Sequence, residues 1–386
     1  MNAQELQQLI ELGNQARADR DPEKALACYA TVFTHDRNSA TAFNNYGNVL
    51  REVGEPAGAI PFLQRSIQLE PAMSTARFNL AVSLLLLGDY ENGWKMYESR
   101  WQYEHLNGAL PNLPQPRWGG EDIKDKSIFF ICEQGLGDGF QFIRFAKTLH
   151  DMGAKVLVHA DKSCKELFEP LPFISSLTIP GDELPTDFDY WTPSMSVPGI
   201  LGVTLDKLPS NLAYLFPLKD SANKWLKELG PKNKLRVGFS WSGRTDTWIN
   251  QHKAVPFTEI VDLISRNPNY DWFNLQVDCT DEETKILEDL GVHNYASELV
   301  NFSETAGLMH HMDVILSVDT AVTHLAGALG RPTWLMLNNF ATDWRWLLNR
   351  DDSPWYQSVR IFRQPKMDDW KSVIDKIHQY LGWFKI

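Results

Sequence analysis

The sequence has few of the features that mark several large classes of protein. Its four cysteines, Cys28, Cys132, Cys164 and Cys279, are scattered and form no CxxC pair. A disulfide framework and a zinc site are therefore not expected. The longest apolar run, near Val82–Leu87, is far too short to cross a bilayer. The first residues also lack the charged and apolar regions of a signal peptide. These absences predict a cytoplasmic protein.

Basic charge is scarce as well. The chain has 37 Lys and Arg against 49 Asp and Glu, a net charge of −12. This balance argues against broad binding to nucleic acid or to anionic membranes, although it is compatible with a local basic pocket. Hydrophobic residues make up 43% of the 386 residues. That is enough for two or three domains with full cores.

Residues 1–106 are predicted to be helical throughout and to contain a repeat. Small and large residues recur at a spacing of 34 positions over three copies. This period resembles the tetratricopeptide repeat, whose arrays bind peptides or proteins on a concave face. The alternative role is a rigid cap on the rest of the chain. The matching positions are Leu9, Leu12, Gly13, Ala16, Ala25 and Tyr29; then Phe43, Tyr46, Gly47, Leu50, Ala59 and Leu63; then Arg77, Leu80, Ala81, Leu84, Gly93 and Tyr97.

After a linker at residues 107–118, which holds three prolines, strands alternate with helices. Alternation of this kind predicts parallel sheets covered by helices. We divide it into two Rossmann-like domains, 119–230 and 231–386, with a cleft between the carboxyl ends of their strands. The predicted strands are 127–132, 155–159, 176–179, 189–191, 235–241, 272–276, 313–318 and 333–337, and the predicted helices of the second series lie near 257–266, 282–290, 303–311, 321–329 and 368–381.

The strongest local pattern lies in residues 313–330. An apolar strand run is followed by Asp319 and Thr320, where a helix N-cap is expected. The small residues Ala321, Ala326, Gly327 and Ala328 keep the following helix narrow. The start of such a helix presents backbone N–H groups and a positive dipole end, which suit a phosphate. The segment therefore predicts a binder of a phosphorylated ligand.

A glycine-rich turn, Gln134–Gly139, follows the first predicted strand. Its glycines, among them Gly135 and Gly137, let a ligand approach the backbone closely. The spacing does not match the GxGxxG dinucleotide fingerprint. Asp138 then lies at a helix start, where it is either a capping residue or a general base. Residue type alone favours the cap.

A second polar turn, Ser240–Arg244, follows the predicted strand 235–241. Ser242 and Gly243 can donate hydrogen bonds to phosphate, while Arg244 and Lys253 can neutralise it. The alternative is a solvated loop. His324 lies one helical turn beyond Thr320, so it either faces the same pocket or packs the helix.

Aromatic and charged residues mix in the segment 343–356, which includes Trp344 and Arg345. Such residues form walls for sugars and bases, and they also anchor long loops. The sequence leaves both roles open for this segment.

Two of these motifs together resemble a known family. Gly135-Leu-Gly-Asp138 near the first strand, followed by Asp319-Thr-x-x-x-His324-Leu-Ala, resembles the heptosyltransferase-like glycosyltransferases of family 9. The resemblance implies a metal-independent enzyme with the GT-B fold. The chain is more closely similar to bacterial proteins that join tetratricopeptide repeats to such a domain, through the segments 93–101, 133–138, 317–320, 324–330 and 351–356.

The resemblance implies a role for each motif. Asp138 takes the position of the catalytic base, and 319–324 matches the donor diphosphate motif. Lys253-Ala-Val-Pro256 resembles the family's Lys-x-x-Pro element, whose lysine contacts the donor phosphate. With neighbouring positions added, the residues expected to bind the donor are Ser242, Gly243, Lys253, Gln276, Asp319, Thr320, Ala321 and His324. The residues expected to line the cleft or bind the acceptor are Gln134, Gly135, Gly137, Gln141, Arg244, Trp344 and Arg345.

The fold expected is α + α/β, a helical repeat array followed by a GT-B pair of Rossmann-like domains. The function expected is inverting transfer of a sugar from a nucleotide sugar, with no cofactor or metal. The acceptor expected is a hydroxyl of a flagellin-like protein recruited by the repeats. One alternative is transfer to lipopolysaccharide or another glycan, and another is a non-catalytic scaffold with a degenerate domain. A nucleotide-sugar epimerase or dehydrogenase is disfavoured because GxGxxG and Tyr-x-x-x-Lys are absent.

Overall fold

The chain divides into two compact units. The computed structural model describes residues 1–102, 112–209, 213–243 and 252–383. One unit comprises Met1–Asn112, Gly202–Leu208 and Asn339–Asn349, and the other comprises Leu113–Leu201, Pro209–Asn338 and Arg350–Ile386. Residues 107–111 of the predicted linker lie outside the described part of the chain.

Helical hairpins make up most of the first unit. Each helix packs on the next along the chain, from α1 on α2 to α5 on α6. Asp21, Ser39 and Asp89 cap the starts of α2, α3 and α6 by accepting a hydrogen bond from a backbone N–H of the first turn. The predicted three-copy repeat is confirmed. The helices are α1 Ala3–Ala18, α2 Pro22–His35, α3 Ala40–Glu52, α4 Pro56–Leu69, α5 Ser74–Leu86 and α6 Tyr90–Tyr97, followed by a 3-10 turn at Glu98–Gln102.

Small residues allow the two helices of a hairpin to approach closely, as the repeat pattern predicts. A Cβ placed on Gly13 would lie 2.6 Å from the ring of Tyr29, and one on Gly47 would lie 2.8 Å from Leu63. Both distances are shorter than a carbon–carbon contact allows. In the first two copies, the small residue and the large residue are thus direct partners.

Two segments from far along the chain complete this repeat unit. The indole N–H of Trp94 donates to the carbonyl of Val203 at 3.0 Å, and Ala341 N–H donates to the carbonyl of Glu52 at 2.7 Å. Trp344 is buried with its ring 5.2 Å from that of Trp94 and 6.0 Å from that of Tyr90. Unit boundaries therefore differ from the predicted ones, because 202–208 and 339–349 pack with the repeats.

The second unit begins with a four-stranded parallel sheet of order β3-β2-β1-β4. Strands β1 and β2 have buried apolar centres, as expected for a sheet covered by helices. The elements are β1 Ser127–Ile131, α7 Leu136–Asp151, β2 Lys155–His159, α8 Lys165–Phe168, β3 Ser176–Thr178, β4 Tyr190–Pro193 and α9 Val197–Ile200.

A six-stranded parallel sheet of order β10-β9-β8-β5-β6-β7 follows. Helix α10, at Lys219–Leu229, packs on α13, a helix of this second sheet. The predicted boundary at residue 230 therefore lies too late, because it assigns α10 to the first sheet. The elements are α10 Lys219–Leu229, β5 Arg236–Phe239, α11 Phe257–Ser265, β6 Asp271–Asn274, α12 Asp281–Asp289, β7 His293–Asn294, α13 Phe302–Met309, β8 Val314–Val318, α14 Ala321–Ala328, β9 Thr333–Leu337, β10 Val359–Arg363 and α15 Trp370–Trp383.

The predicted fold class, a helical repeat array followed by two Rossmann-like parallel sheets with their helices, is confirmed. The loops that follow β1, β5 and β8 lie at the carboxyl ends of parallel strands, where ligand sites form in such sheets. No helix in the described part of the chain is long and apolar enough to span a bilayer.

Replacing Trp344 by alanine tests whether segment 339–349 is an integral part of the repeat unit. Since the side chain is buried, we expect the free energy of unfolding to fall by about 3–5 kcal/mol. Urea denaturation followed by far-UV circular dichroism measures this.

The matched control is Trp383→Ala, because that indole is 71% exposed and should change stability by less than about 0.5 kcal/mol. Equal effects of the two substitutions would show that Trp344 is not part of a packed core.

Candidate functional site

Helix α14 starts directly at the end of the buried strand β8. Thr320 is its N-cap residue in extended conformation, yet the threonine side chain makes no capping hydrogen bond, and no acidic residue occupies the first turn. The turn between β8 and α14 is held by Thr323, whose hydroxyl donates to the carbonyl of Val318 at 2.7 Å. The helix start thus keeps the polarity that attracts an anion.

A buried ion pair lies beside this helix start. Lys253 Nζ is 2.6 Å from Asp319 Oδ2, and the two side chains are only 13% and 5% exposed. Asp319 Oδ1 is also 3.7 Å from Nε2 of His324. Because a buried charge is costly unless it is paired, Asp319 holds Lys253 in place next to the first turn of α14.

The loop after β5 approaches the same helix start. A Cβ on Gly243 would lie 2.9 Å from Cγ2 of Thr320, so a larger residue would not fit without movement. Gln276 fixes this loop from behind. Its Oε1 accepts hydrogen bonds from the Ser240 hydroxyl at 3.0 Å and the Ser242 N–H at 3.2 Å. Gln276 therefore positions the loop, with its carbonyl oxygen engaged by protein.

Helix α7, from the first sheet, packs against α14. The helices approach closely at Gly137, where a Cβ would lie 2.6 Å from Cδ2 of His324. Asp138 is the next residue, and its Oδ2 accepts the backbone N–H of Gly135 at 2.8 Å. The capping interaction expected for this aspartate is present. A carboxylate has several lone pairs, so this hydrogen bond does not exhaust its capacity as a base.

The structure thus brings most predicted site residues together. Two helices, one from each sheet, meet start to start with Gly137 and His324 in contact. Around them lie Asp138, Asp319, Thr320, Ala321, Lys253, Gly243 and Ser242, while Gln134 and Gly135 lie exposed in the turn before α7. Arg244 lies outside the described residues.

Three predicted cleft residues are elsewhere. Gln141 is completely buried, because it lies on the packed face of α7, so the prediction that it lines the cleft is wrong. Trp344 is buried among aromatic side chains of the repeat unit, and Arg345 is buried with its guanidinium over Trp344 and against Asp343. The alternative interpretation, in which this segment anchors a long loop, is the one that the structure shows.

Sequence reasoning missed a buried arginine behind the site. Arg144, on α7, donates to the hydroxyl of Tyr214 at 2.7 Å and to the carbonyl of Trp355 at 2.9 Å. Its partners lie 70 and 211 positions away in the chain. No local pattern could have revealed it. Among the described residues, no cluster of three or more His, Cys, Asp or Glu side chains could hold a metal ion.

Comparison with known proteins agrees with this geometry. The profile of glycosyltransferase family 9 (heptosyltransferase) matches residues 284–335, a range that includes Asp319, Thr320 and His324. Protein FlbA of Caulobacter vibrioides is 25% identical over 411 aligned residues, which cover 88% of this chain and 66% of that protein. The chain thus spans just under two thirds of that relative.

Two solved structures share the fold. The ADP-heptose lps heptosyltransferase II of E. coli matches with a TM-score of 0.50 at 16% identity, over 67% of this chain and 99% of that one. A family 9 glycosyl transferase of Veillonella parvula matches with a TM-score of 0.50 at 11% identity, over 70% and 92%. Together with the profile match, these findings confirm the predicted resemblance to glycosyltransferase family 9 and the predicted fold.

Replacing Gly137 by alanine should disturb the contact between the two helix starts. A methyl group there would overlap the buried ring of His324, so we expect a loss of about 1–3 kcal/mol in unfolding free energy and a loss of activity. Gly139→Ala is the control two residues away, because its Cβ would meet nothing within 4 Å. There the alanine should be neutral or stabilise the helix by up to about 1 kcal/mol.

Thermal unfolding and a glycosyl-transfer assay on both variants measure these effects. If Gly137→Ala were as stable and active as Gly139→Ala, the close packing of α7 on α14 would be contradicted.

Proposed function

We propose that the chain is an inverting, metal-independent glycosyltransferase that moves a sugar from a nucleotide sugar to a hydroxyl of a protein acceptor. The observation that carries the proposal is the meeting of α7 and α14. It sets Asp138, from the first sheet, beside a helix start that is suited to phosphate, from the second.

The donor's phosphates belong, in this proposal, at the start of α14. Backbone N–H groups there, with the Lys253 ammonium beside them, can stabilise the negative charge that grows on the nucleotide as the sugar leaves. Ser242 and the Gly243 backbone can add hydrogen bonds from the loop after β5. Asp319 keeps Lys253 oriented, as the 2.6 Å ion pair indicates. Fixed dipoles and one cation thus supply the stabilisation for which other enzymes use a metal.

Asp138 serves as the general base. It takes the proton of the acceptor hydroxyl as the oxygen attacks the anomeric carbon, and a base on the face opposite the leaving group gives inversion. Its hydrogen bond from the Gly135 N–H holds the carboxylate at the helix start, so the base is positioned before the acceptor arrives.

A protein acceptor is supported by a row of amide side chains in the repeat unit. Asn79 donates to Asn44, Asn44 to Asn45, and Asn45 to Asn14, each at 3.0 Å. The row joins α5, α3 and α1. Since an amide offers two donors and two lone pairs, the half-buried and exposed members retain capacity for the N–H and C=O groups of an extended peptide. A flagellin-like protein is the acceptor that we propose.

A glycan acceptor is the second candidate. It is favoured by the fold shared with an enzyme whose name specifies lipopolysaccharide. Intact-mass analysis of candidate acceptor proteins, from cells with and without the gene, distinguishes the two. A sugar mass that disappears from a protein supports the first candidate, and a change confined to a glycan supports the second.

Asp138→Asn tests the proposed base. The amide oxygen can still accept the Gly135 N–H, so the fold should be kept while transfer falls by about 10²–10⁴-fold. Isothermal titration with the nucleoside diphosphate should show little change in affinity. Asp161→Asn, at another helix start, is the control and should transfer normally. Normal turnover by a folded Asp138→Asn variant would remove Asp138 as the base.

A double substitution, Asn45→Ala with Asn79→Ala, tests recruitment by the repeats. We expect KM for the protein acceptor to rise about tenfold or more, the effect of losing one or two hydrogen bonds. Hydrolysis of the donor without acceptor should not change. Point variants separate recruitment from stability better than deletion of residues 1–106, because the deletion would also expose the buried Trp344.

Asn38→Ala, an exposed asparagine outside the amide row, is the control and should leave both rates unchanged. Equal losses of transfer and donor hydrolysis in the double variant would indicate that the row has only a structural role.

A further inference from the structure

One residue on the segment that connects the two sheets is hydrogen-bonded to both α7 and α14. Tyr214 is 5% exposed, so it does not reach a substrate. Its backbone N–H donates to the carbonyl of Ala328 at 3.0 Å, and the N–H of Leu215 donates to the same carbonyl at 3.1 Å. Ala328 is the last residue of α14, where a helix leaves carbonyl groups without partners of its own. The connecting segment thus binds the end of α14.

The side chain of Tyr214 binds the other helix. Its hydroxyl donates to the carbonyl of Phe140 at 2.9 Å, and Phe140 lies three residues after Gly137 on α7. A single tyrosine therefore ties α7, through its hydroxyl, to α14, through its N–H group. We call the hydrogen bonds of Tyr214 to Phe140 and Ala328 the tyrosine clamp.

Arg144, on α7, fixes the direction of the Tyr214 hydroxyl. Its Nη2 donates to that hydroxyl at 2.7 Å, and its Nη1 donates to the carbonyls of Pro209 at 3.2 Å and Trp355 at 2.9 Å. The guanidinium is buried, so these bonds are shielded from water. Because an arginine can only donate, the Tyr214 hydroxyl accepts from Arg144 and gives its own proton to Phe140.

The ring of Tyr356 contacts Arg144 of α7 as well as α14. The guanidinium lies 4.9 Å from the centre of this ring, within the range of a cation–π interaction. A Cβ on Gly327 of α14 would lie 2.5 Å from the same ring, and the Tyr356 hydroxyl lies 2.8 Å from Nδ1 of His324. Aromatic packing therefore links the two helices in addition to the tyrosine clamp.

Two separate contacts are needed to fix the angle between two helices. The contact of Gly137 with His324 alone would let α7 and α14 rotate about that point. Thr320 lies four residues before His324, which is about 6 Å along the helix axis, so a rotation of roughly 10° would move the helix start by about 1 Å. A displacement of about 1 Å at a reacting centre can cost about 10²-fold in rate. The tyrosine clamp supplies the second contact.

We infer that Tyr214 is a positioning residue for the proposed transfer, which holds α7 on α14 so that Asp138 keeps a fixed place relative to the start of α14. Arg144 acts through Tyr214, by directing its hydroxyl towards Phe140. The proposed partners of the donor, which are the start of α14, Lys253 and the loop after β5, all belong to the second sheet. Loss of the clamp should therefore slow the chemical step without weakening donor binding. The inference rests on the proposed function, in which Asp138 is the base.

Hydrogen–deuterium exchange followed by mass spectrometry tests the clamp without a substrate. Tyr214→Phe keeps the ring and the backbone bond to Ala328, and it removes only the hydroxyl. We expect amide exchange in segments 136–145 and 213–218 to become about tenfold faster, the effect of losing one hydrogen bond.

The matched control is Tyr380→Phe, which removes the same kind of interaction elsewhere. The Tyr380 hydroxyl, on α15, accepts a hydrogen bond from Arg360 of β10 at 2.8 Å, and the guanidinium lies 4.4 Å from the centre of the tyrosine ring. The corresponding distances for Arg144 and Tyr214 are 2.7 Å and 4.4 Å. Exchange in segments 136–145 and 213–218 should not change in this control.

Donor hydrolysis tests the positioning role, since water then takes the place of the acceptor and needs the same base. With ADP-, GDP- and UDP-linked sugars assayed one at a time, Tyr214→Phe should lower kcat about ten- to hundredfold and leave KM for the donor unchanged. Tyr380→Phe should change neither. In a chain that already carries Asp138→Asn, Tyr214→Phe should change kcat by less than about twofold, because a residue that acts only through the base then has nothing to position.

Unchanged exchange in Tyr214→Phe would overturn the clamp. An equal loss of kcat in the Asp138→Asn background, or a higher KM in place of a lower kcat, would overturn the role of Tyr214 in positioning the base. A wild-type chain that hydrolyses none of these donors would contradict the proposed function instead, because the exchange result stands without a donor.

Discussion

The site depends on one close contact, the packing of Gly137 on the ring of His324. With a Cβ the distance would be 2.6 Å, so the two helix starts can meet only because this residue has no side chain. The contact brings an acidic residue of one sheet to the positive end of a helix from the other. Around it, the Lys253–Asp319 pair and the loop that Gln276 holds supply the remaining polar groups. The inverting transfer that we propose needs both a base and a phosphate site.

Behind this contact, buried polar groups orient the side chains of the site. Asp319 and Tyr356 take opposite sides of His324, and Arg144 connects that histidine to the helix of Asp138. Each of these groups is costly to bury unless it is paired. The ion pair of Asp319 with Lys253, the hydrogen bond of Tyr356 to His324 and the hydrogen bond of Arg144 to Tyr214 offset that cost. A buried charge is paired in the same way in the repeat unit. The carboxylate of Glu52, which is buried, accepts hydrogen bonds from Arg17 at 2.7 Å and from Asn48 at 3.2 Å.

Sequence periodicity predicted the fold closely, because the burial of each helix and strand sets the pattern of apolar residues within that element. The strands at 155–159 and 333–337 have the predicted bounds, and the 34-residue period returned as three helical hairpins. Helix α10 and strand β10 were missed. Helix α10 is mostly polar and lies between segments that contain prolines, and β10 contains two arginines among its five residues. The two turn motifs located the site because a turn with glycine or aspartate after an apolar strand can be recognised from neighbouring residues alone. Arg144, Tyr214 and Trp344 could not be placed from sequence, since their partners are distant in the chain and only packing brings them together.

A crystal structure with a bound nucleoside diphosphate would test the central claim most directly. The account predicts that the phosphates contact the backbone N–H groups at the start of α14 and the Lys253 ammonium, with Asp138 facing the open side of the terminal phosphate. A nucleotide bound elsewhere, with the start of α14 covered by protein and out of reach of Asp138, would contradict the account.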